Sequence, residues 1–143
     1  MKLFFILAFS FLTITASGQC MDCTSIVEAS QHPLSVKSLR INSLLNEKTD
    51  VVPASVAQMT NLEVLYLTDQ KITSIPAFIG DLKNLKELSF AGCKLESVPE
   101  EIFQLKNLKE LVLLDNSFSE EYKKQLKKTV NERMPNTKLL LDF

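Results

Sequence analysis

Residues 62–82, LEVLYLTDQKITSIPAFIGDL, and residues 85–105, LKELSFAGCKLESVPEEIFQL, decide the fold. When the two stretches are aligned, apolar residues at the repeat positions of the first match apolar residues 23 positions later in the second. The recurring apolar sets are Leu62, Leu85, Leu108; Leu65, Leu88, Leu111; Leu67, Phe90, Leu113; and Ile72, Leu95, Phe118. Pro53, Pro76 and Pro99 recur at the same interval. So many coincidences at one fixed interval indicate an array of stacked repeats.

The spacing L-x-x-L-x-L predicts one short strand in each repeat. Alternation along a strand sends Leu65 and Leu67 to one face and the side chains between them to the other. One repeat cannot bury its apolar face alone, so neighbouring repeats stack and share a core. Each fully buried side chain such as Leu88 then contributes about 1.5–3 kcal/mol.

A degenerate first copy precedes these repeats. Val36, Leu39 and Ile41 reproduce the spacing of the later strands, and Pro53 restores the register after three extra residues. We expect the extra residues to form a loop at Asn46 to Asp50. Such a loop is either a tolerated surface bulge or a binding feature.

These residues resemble the leucine-rich repeats, whose pattern L-x-x-L-x-L-x-x-N-x-L-x-x-L-P-x-x-I-x-x-L is met at residues 62–82 and again at 85–105. In detail the chain is similar to short repeat proteins exported by Bacteroidetes-type bacteria, through its segment 25–33 and a C-terminal helix ending at Pro135-Asn136. The resemblance implies an α/β solenoid. Its parts would be a curved parallel sheet, a helical or 3-10 convex side, a helical N-terminal cap and a helix-plus-strand C-terminal cap.

The ninth position of the family pattern is an asparagine that hydrogen-bonds the turns of adjacent coils. In this chain the column reads Leu44, Gln70, Cys93 and Asn116. The resemblance therefore implies that Cys93 is a small buried ladder residue rather than a reactive thiol. Leu44 departs from the pattern.

We predict four segments: a signal peptide at 1–18, an N-terminal cap at 19–35, repeats at 36–118 and a C-terminal cap at 119–143. In the N-terminal cap, Ser25 and Glu28 have the spacing of a capping box and predict a helix through Gln31. Ser119 is placed to cap the C-terminal helix. With both ends capped, we expect a finished four-coil unit.

Two further patterns belong to the C-terminal cap. Apolar residues at every fourth position predict a helix stripe that covers the last coil, and the alternation that follows predicts a final strand with three inward residues. The stripe is Tyr122, Leu126 and Val130, and the inward strand residues are Leu139, Leu141 and Phe143.

The first residues indicate export. Lys2 precedes an uncharged apolar run, and Ala16 and Gly18 are small residues where a signal peptidase requires them, so we expect cleavage before Gln19. The protein is then periplasmic, in the cell envelope or secreted. Cys20 lies next to this site and could carry a lipid, although Gln19 does not fit a lipoprotein signal. We expect membrane association only if Cys20 is lipidated. Cys20 and Cys23 could instead form a disulfide or remain idle thiols.

Several function classes lack support in the sequence. A net charge of −1 gives no basic field for nucleic acid. His32 is the only histidine and has no motif-linked nucleophile, so we expect no enzyme, metal or cofactor. Outward glutamates, including Glu87 and Glu110, are interpreted as solubilising. The basic run Lys123, Lys124, Lys127 and Lys128 is interpreted as a solvated helix face, with anionic lipid or glycan as the alternative ligand.

The concave sheet is the candidate binding surface. Its outward positions form three columns: Ser38, Val64, Glu87, Glu110; Arg40, Tyr66, Ser89, Val112; and Asn42, Thr68, Ala91, Leu114. An aromatic anchor beside apolar and small residues is the composition of an interface centre. The partner-binding candidates are Arg40, Val64, Tyr66, Thr68, Ser89, Val112 and Leu114. We predict that this patch binds another protein. The alternative is a self-associating envelope component, a homodimer formed through the same apolar face.

Overall fold

The computed structural model describes residues 21–43 and 48–142 of the 143-residue chain. Within these residues six strands follow in chain order: β1 (Asp22–Cys23), β2 (Ser38–Asn42), β3 (Val64–Thr68), β4 (Glu87–Ser89), β5 (Glu110–Val112) and β6 (Lys138–Leu140). The described part of the chain also has two α-helices, α1 (Ile26–Gln31) and α2 (Glu120–Arg133). Between α1 and α2, the described segments contain four 3-10 helices: η1 (Pro33–Ser35), η2 (Ala54–Gln58), η3 (Ala77–Asp81) and η4 (Glu100–Gln104).

The strands form one parallel sheet in the order β1-β2-β3-β4-β5-β6. Leu39, Leu65, Leu88, Leu111 and Leu139 pair successively across it, so one residue of each strand enters the same inward column. The first four are completely buried. This register is the one that the 23-residue interval predicts, and it confirms the leucine-rich-repeat solenoid.

The side opposite the sheet is built from 3-10 helices, as the family pattern implies. Pro53, Pro76 and Pro99 immediately precede η2, η3 and η4. Proline fixes its φ near −65° and donates no backbone hydrogen bond, so it fits the start of a helical turn. Coil spacing is close here, because a Cβ added to Gly80 would lie 2.7 Å from the carbonyl oxygen of Glu101.

A tight turn follows the strand in three coils. Asp69, Gly92 and Asp115 occupy the same repeat position and have φ of 55°, 67° and 52°. Positive φ is tolerated by glycine and, among other residues, mainly by asparagine and aspartate. The amides of Asp69 and Gly92 donate to Ala91 O and Leu114 O of the next coil, at 2.8 and 3.0 Å.

The predicted ladder is present in the described coils. Asn116 Nδ2 donates to Phe90 O at 2.8 Å, and its Oδ1 accepts from Leu95 N at 3.0 Å. Gln70 Oε1 accepts from the Thr49 amide at 2.9 Å.

Cys93 holds the ladder position between them. Cys93 is 6% exposed, and its Sγ–H donates to Leu67 O at 3.3 Å. Burial raises the pKa of the thiol. Burial and a raised pKa both oppose thiolate reactivity, in agreement with the structural role expected of this cysteine.

A second ladder runs along the turn before the strands, and the sequence reading missed it. Asn61, Asn84 and Asn107 recur at the same interval. Each side-chain amide donates to a carbonyl of the preceding coil: Leu34 O at 2.7 Å, Thr60 O at 2.9 Å and Lys83 O at 2.8 Å. The period-23 asparagines were the available signal.

The N-terminal cap differs in two ways from its prediction. Helix α1 ends at Gln31 as expected, but the Ser25 side chain makes no capping hydrogen bond, so the capping-box prediction is wrong. The cap also contains a strand, β1, that was not predicted. Through β1, Cys23 pairs with Leu39 and is 1% exposed.

The C-terminal cap confirms most of its pattern. Ser119 Oγ accepts from Tyr122 N at 3.2 Å, and Leu126 and Val130 are buried under α2. Phe118 stacks on Tyr122 with ring centroids 5.5 Å apart. Strand β6 then pairs in parallel with β5.

One residue of the basic run was placed wrongly. Lys123 was expected on the solvated face of α2, but its side chain is only 8% exposed. Lys123 Nζ lies 2.8 Å from Glu120 Oε1 and 3.4 Å from Asp142 Oδ2. Asp142 Oδ1 in turn accepts from Asp115 N at 3.1 Å. In the inner repeats, the amide at this turn position donates to a backbone carbonyl of the following coil. In the last repeat, the Asp142 carboxylate accepts that hydrogen bond instead.

Some predictions fall outside the described residues. They concern the signal peptide at 1–18, Cys20, Leu44, the first part of the 46–50 loop and Phe143. Cys23 is disulfide-bonded, and its pairing with Cys20 stays a prediction.

Candidate binding surface

The parallel register produces two of the three predicted columns across β2 to β5, and pairs Asn42 with Thr68 in the third. Ser38, Val64, Glu87 and Glu110 pair successively across β2 to β5. Arg40, Tyr66, Ser89 and Val112 do the same one step further along the strands. Strand β6 extends these two columns with Lys138 and Leu140. The outward face therefore includes β6, a strand from which the sequence analysis named no binding candidate.

Tyr66 is held by its neighbours rather than projecting freely. Its Oη donates to Glu87 Oε2 at 2.5 Å, across one strand spacing. On the other side, the guanidinium carbon of Arg40 lies 5.2 Å from the centroid of the Tyr66 ring, a cation–π distance. The hydrogen bond to Glu87, followed by desolvation, raises the pKa of the Tyr66 phenol to about 12.

The most apolar part of the face lies toward the C-terminal end. Val112 and Leu114 come from the β5 coil, and Leu140 pairs directly with Val112 across the strands. All three side chains are half-buried. The candidate set omitted Leu140, although the predicted inward positions of Leu139 and Leu141 already place it outward. We call these three residues the apolar cluster.

Small residues separate Tyr66 from the apolar cluster. Ser89 lies between Tyr66 and Val112 in the register. It is 4% exposed, so its prediction as a contact residue is wrong: a short side chain between two larger ones is covered by them. Ala91 is half-buried in the next column. Two strand spacings, about 10 Å, therefore separate the backbones of Tyr66 and Val112.

The other candidates lie around Tyr66. Val64 and Thr68 flank Tyr66 on its own strand and are half-buried. Arg40 is exposed, but its guanidinium is engaged by the Tyr66 ring and donates to Ser38 Oγ. Asp22 lies 3.9 Å from the same guanidinium.

Two carboxylates lie in the first outward column, on β4 and β5. Glu87 and Glu110 are direct partners on β4 and β5, and both are half-buried. Lys138 Nζ pairs with Glu110 Oε2 at 3.4 Å. Within residues 21–43 and 48–142, no cationic side chain forms an ion pair with Glu87.

The remaining chemistry of the described residues is sparse. Over this part of the chain, His, Cys, Asp and Glu side chains do not gather in any group of three that could hold a metal ion. His32 is exposed in the N-terminal cap. No helix in the described segments has the length and apolar character to cross a bilayer.

The parallel sheet and its stacked coils have the fold of a leucine-rich-repeat solenoid, an architecture whose repeats form extended concave surfaces. Residues 60–100 match the family description "Leucine Rich repeats (2 copies)".

Two solved structures resemble the chain. A leucine-rich-repeat protein of Leptospira interrogans is 32% identical over 85% of the chain, with a TM-score of 0.67. The leucine-rich-repeat ectodomain of the receptor kinase SOBIR1 from Arabidopsis thaliana is 22% identical over 84%, with a TM-score of 0.58. The chain spans 29% of the first structure's length and 61% of the second's. Proteins of curated function give no match to the sequence.

Proposed function

We propose that this protein is an exported binding module that recognises another protein through its concave sheet, without catalysis. The observation that carries the proposal is the apolar cluster of Val112, Leu114 and Leu140. These side chains lie on the outward face, where packing of the core does not require apolar residues. Partly exposed apolar side chains grouped on one face, with an aromatic residue two strands away, are typical of an interface centre.

Export is supported by the layout of residues 1–18, which is that of a signal peptide, and by an ectodomain among the structurally similar proteins. The mature chain would then begin at Gln19 with the cap, repeat and C-terminal segments in the order already given. Placement among short exported repeat proteins of Bacteroidetes-type bacteria belongs to the same proposal. A disulfide at Cys23 agrees with an oxidising compartment.

The proposal is tested by capture and crosslinking of partners from envelope extract of the native host, with identification by mass spectrometry. We expect Val112→Lys to abolish recovery of the specific partner, because it places a charge in the apolar cluster. Val27→Lys is the matched control, since Val27 is 73% exposed on α1 and outside the concave face. Equal recovery with both variants would show that the concave face is not the binding surface.

Self-association is the second candidate, because the apolar cluster reaches β6, which is the last strand of the sheet among the described residues. A homodimer through this face would appear in multi-angle light scattering at high protein concentration. It would dissociate in Val112→Lys but not in Val27→Lys. A monomer at all concentrations would eliminate this candidate and leave the heterologous partner.

A further inference from the structure

The last strand leaves one end of the core partly open. Strand pairing places Leu139 in the inward column, where the preceding member, Leu111, is completely buried. Leu141 holds the repeat position of Leu113, which is completely buried too. Leu139 and Leu141 are themselves partly exposed, because the next coil covers these positions in the inner repeats and no strand of the described residues follows β6.

The backbone of β6 is open on the same side. Leu113 N donates to Leu140 O at 2.9 Å, so this carbonyl faces β5. The carbonyl and the following amide of a trans peptide point in opposite directions, so the Leu141 amide points away from β5. Alternation along the strand turns the amide and carbonyl of Leu139 to that side as well. Strand β6 therefore presents an edge that can pair with another strand.

The sequence around β6 is complementary to itself. Residues 138–142 read KLLLD, with a cation at one end and an anion at the other. When two such segments run antiparallel about a two-fold axis at Leu140, each Lys138 lies opposite the partner's Asp142. The Lys138 side chain is 65% exposed and that of Asp142 is 41% exposed, so both are accessible to a second copy.

The same register satisfies the backbone. It sets Leu139 opposite the partner's Leu141, and the amides and carbonyls of these two residues are the groups that face the free edge. Their side chains lie on the inward face and would cover each other across the axis. A register shifted by two residues in either direction loses both pairs of opposite charges.

We propose that a second copy of this chain pairs with β6 edge to edge and antiparallel, so that the two parallel sheets join at a two-fold axis. We call this assembly the edge dimer. Its interface is isologous, so one surface serves both copies. The inference goes beyond the proposed function, because the edge dimer leaves both concave faces open, unlike a homodimer through the apolar cluster.

Leu140→Cys tests the position of the axis. In the edge dimer Leu140 faces the partner's Leu140 as a non-hydrogen-bonded pair with Cα atoms about 4.5 Å apart, a separation that a disulfide spans. We expect Leu140→Cys to give a disulfide-linked dimer on a non-reducing gel after incubation with oxidised glutathione. The unmodified protein is the baseline for its own cysteines.

Val112→Cys is the matched control. Val112 lies beside Leu140 on the same face and is also partly exposed. In the edge dimer, three strand spacings, about 14 Å, separate Val112 from the partner's Val112, so its cysteine variant should give no linked dimer. A homodimer through the apolar cluster would instead link Val112→Cys.

Lys138→Glu tests the register. It places like charges opposite each other at two symmetry-related positions, so we expect analytical ultracentrifugation to show a dissociation constant raised about tenfold or more. Lys94→Glu makes the same charge change at an exposed residue just after the turn that follows β4, and should leave the constant unchanged. In the unmodified protein, the amides of Leu139 and Leu141 should gain protection from hydrogen exchange as the protein concentration rises.

A monomer at all concentrations, or linkage of Val112→Cys without Leu140→Cys, would overturn the edge dimer. Equal effects of Lys138→Glu and Lys94→Glu would overturn it too. Capture of the envelope partner tests the proposed function separately. Loss of capture in Val112→Lys without an edge dimer would leave the proposed function standing, whereas an edge dimer with capture insensitive to Val112→Lys would refute the concave face alone.

Discussion

Replacing Asn116 by alanine tests whether the ladder holds adjacent coils together. Two hydrogen bonds of this side chain join the coils: Nδ2 donates to Phe90 O at 2.8 Å, and Oδ1 accepts from Leu95 N at 3.0 Å. Two other bonds, to Leu113 O and Leu114 O, are local. Loss of a partner for a buried backbone group costs about 1–3 kcal/mol.

Because Asn116 is half-buried, water compensates part of that cost, and we take about 1–2 kcal/mol for each of the two groups. Asn116→Ala should therefore lower the free energy of unfolding by about 2–4 kcal/mol. That is a large fraction of the roughly 5–15 kcal/mol that stabilises a typical domain. The change should appear as a lower urea midpoint with an unchanged slope.

The measurement is urea unfolding followed by circular dichroism. Asn136→Ala is the control, because Asn136 is exposed in the turn after α2. We expect its midpoint to match that of the unmodified protein. If the midpoint of Asn116→Ala also equalled that of the unmodified protein, the hydrogen bonds of Asn116 would contribute nothing to stability.

Three further perturbations test other parts of the structure. Gly92→Ala places a Cβ against Asp69 Oδ1 at a residue with φ of 67°, so we expect about 1–3 kcal/mol of destabilisation in the same assay, and an unaltered midpoint would contradict the strained turn. Asp142→Asn should flatten the loss of thermal stability in acid. Hydrogen bonds from its own backbone amide and that of the preceding turn lower the pKa of Asp142, so its stabilisation is present above the unfolded pKa and is lost as pH falls through the folded pKa. Melting curves between pH 7 and pH 2, identical for both proteins, would exclude this role. Glu87→Ala removes both the acceptor and the charge, so it should return the pKa of the Tyr66 phenol from about 12 toward its ordinary value of 10.0 in an ultraviolet titration, whereas an unshifted curve would show that the hydroxyl does not donate to Glu87.

Most of the framework was predictable because one interval determines it. Once Leu65 and Leu88 are inward at the same repeat position, parallel pairing places Tyr66 beside Ser89. The prolines before η2, η3 and η4 likewise recur with the coils. The N-terminal helix was predicted correctly, but its capping hydrogen bond was not. The spacing of Ser25 and Glu28 permits that hydrogen bond without fixing the rotamer of the serine.

The details of the surface depended on side-chain contacts that spacing does not specify. Lys123 is buried because Asp142, distant in sequence, returns beside it after β6. Ser89 is buried because its cross-strand neighbours, Tyr66 and Val112, have larger side chains. Alternation along the strand predicts that its side chain points outward but not that solvent reaches it. Tyr66 bonds Glu87 because parallel strands bring a long side chain across one spacing.

The outward columns are where this chain is free to differ from any other stack of the same repeats. Inward positions must be apolar, because each coil shares its core with the next. Outward positions carry no such requirement, and polar side chains there would favour solubility. The apolar cluster of Val112, Leu114 and Leu140 is therefore not explained by the fold. A partner that covers these three side chains removes them from water, and this burial is the favourable change that the proposed binding face would supply.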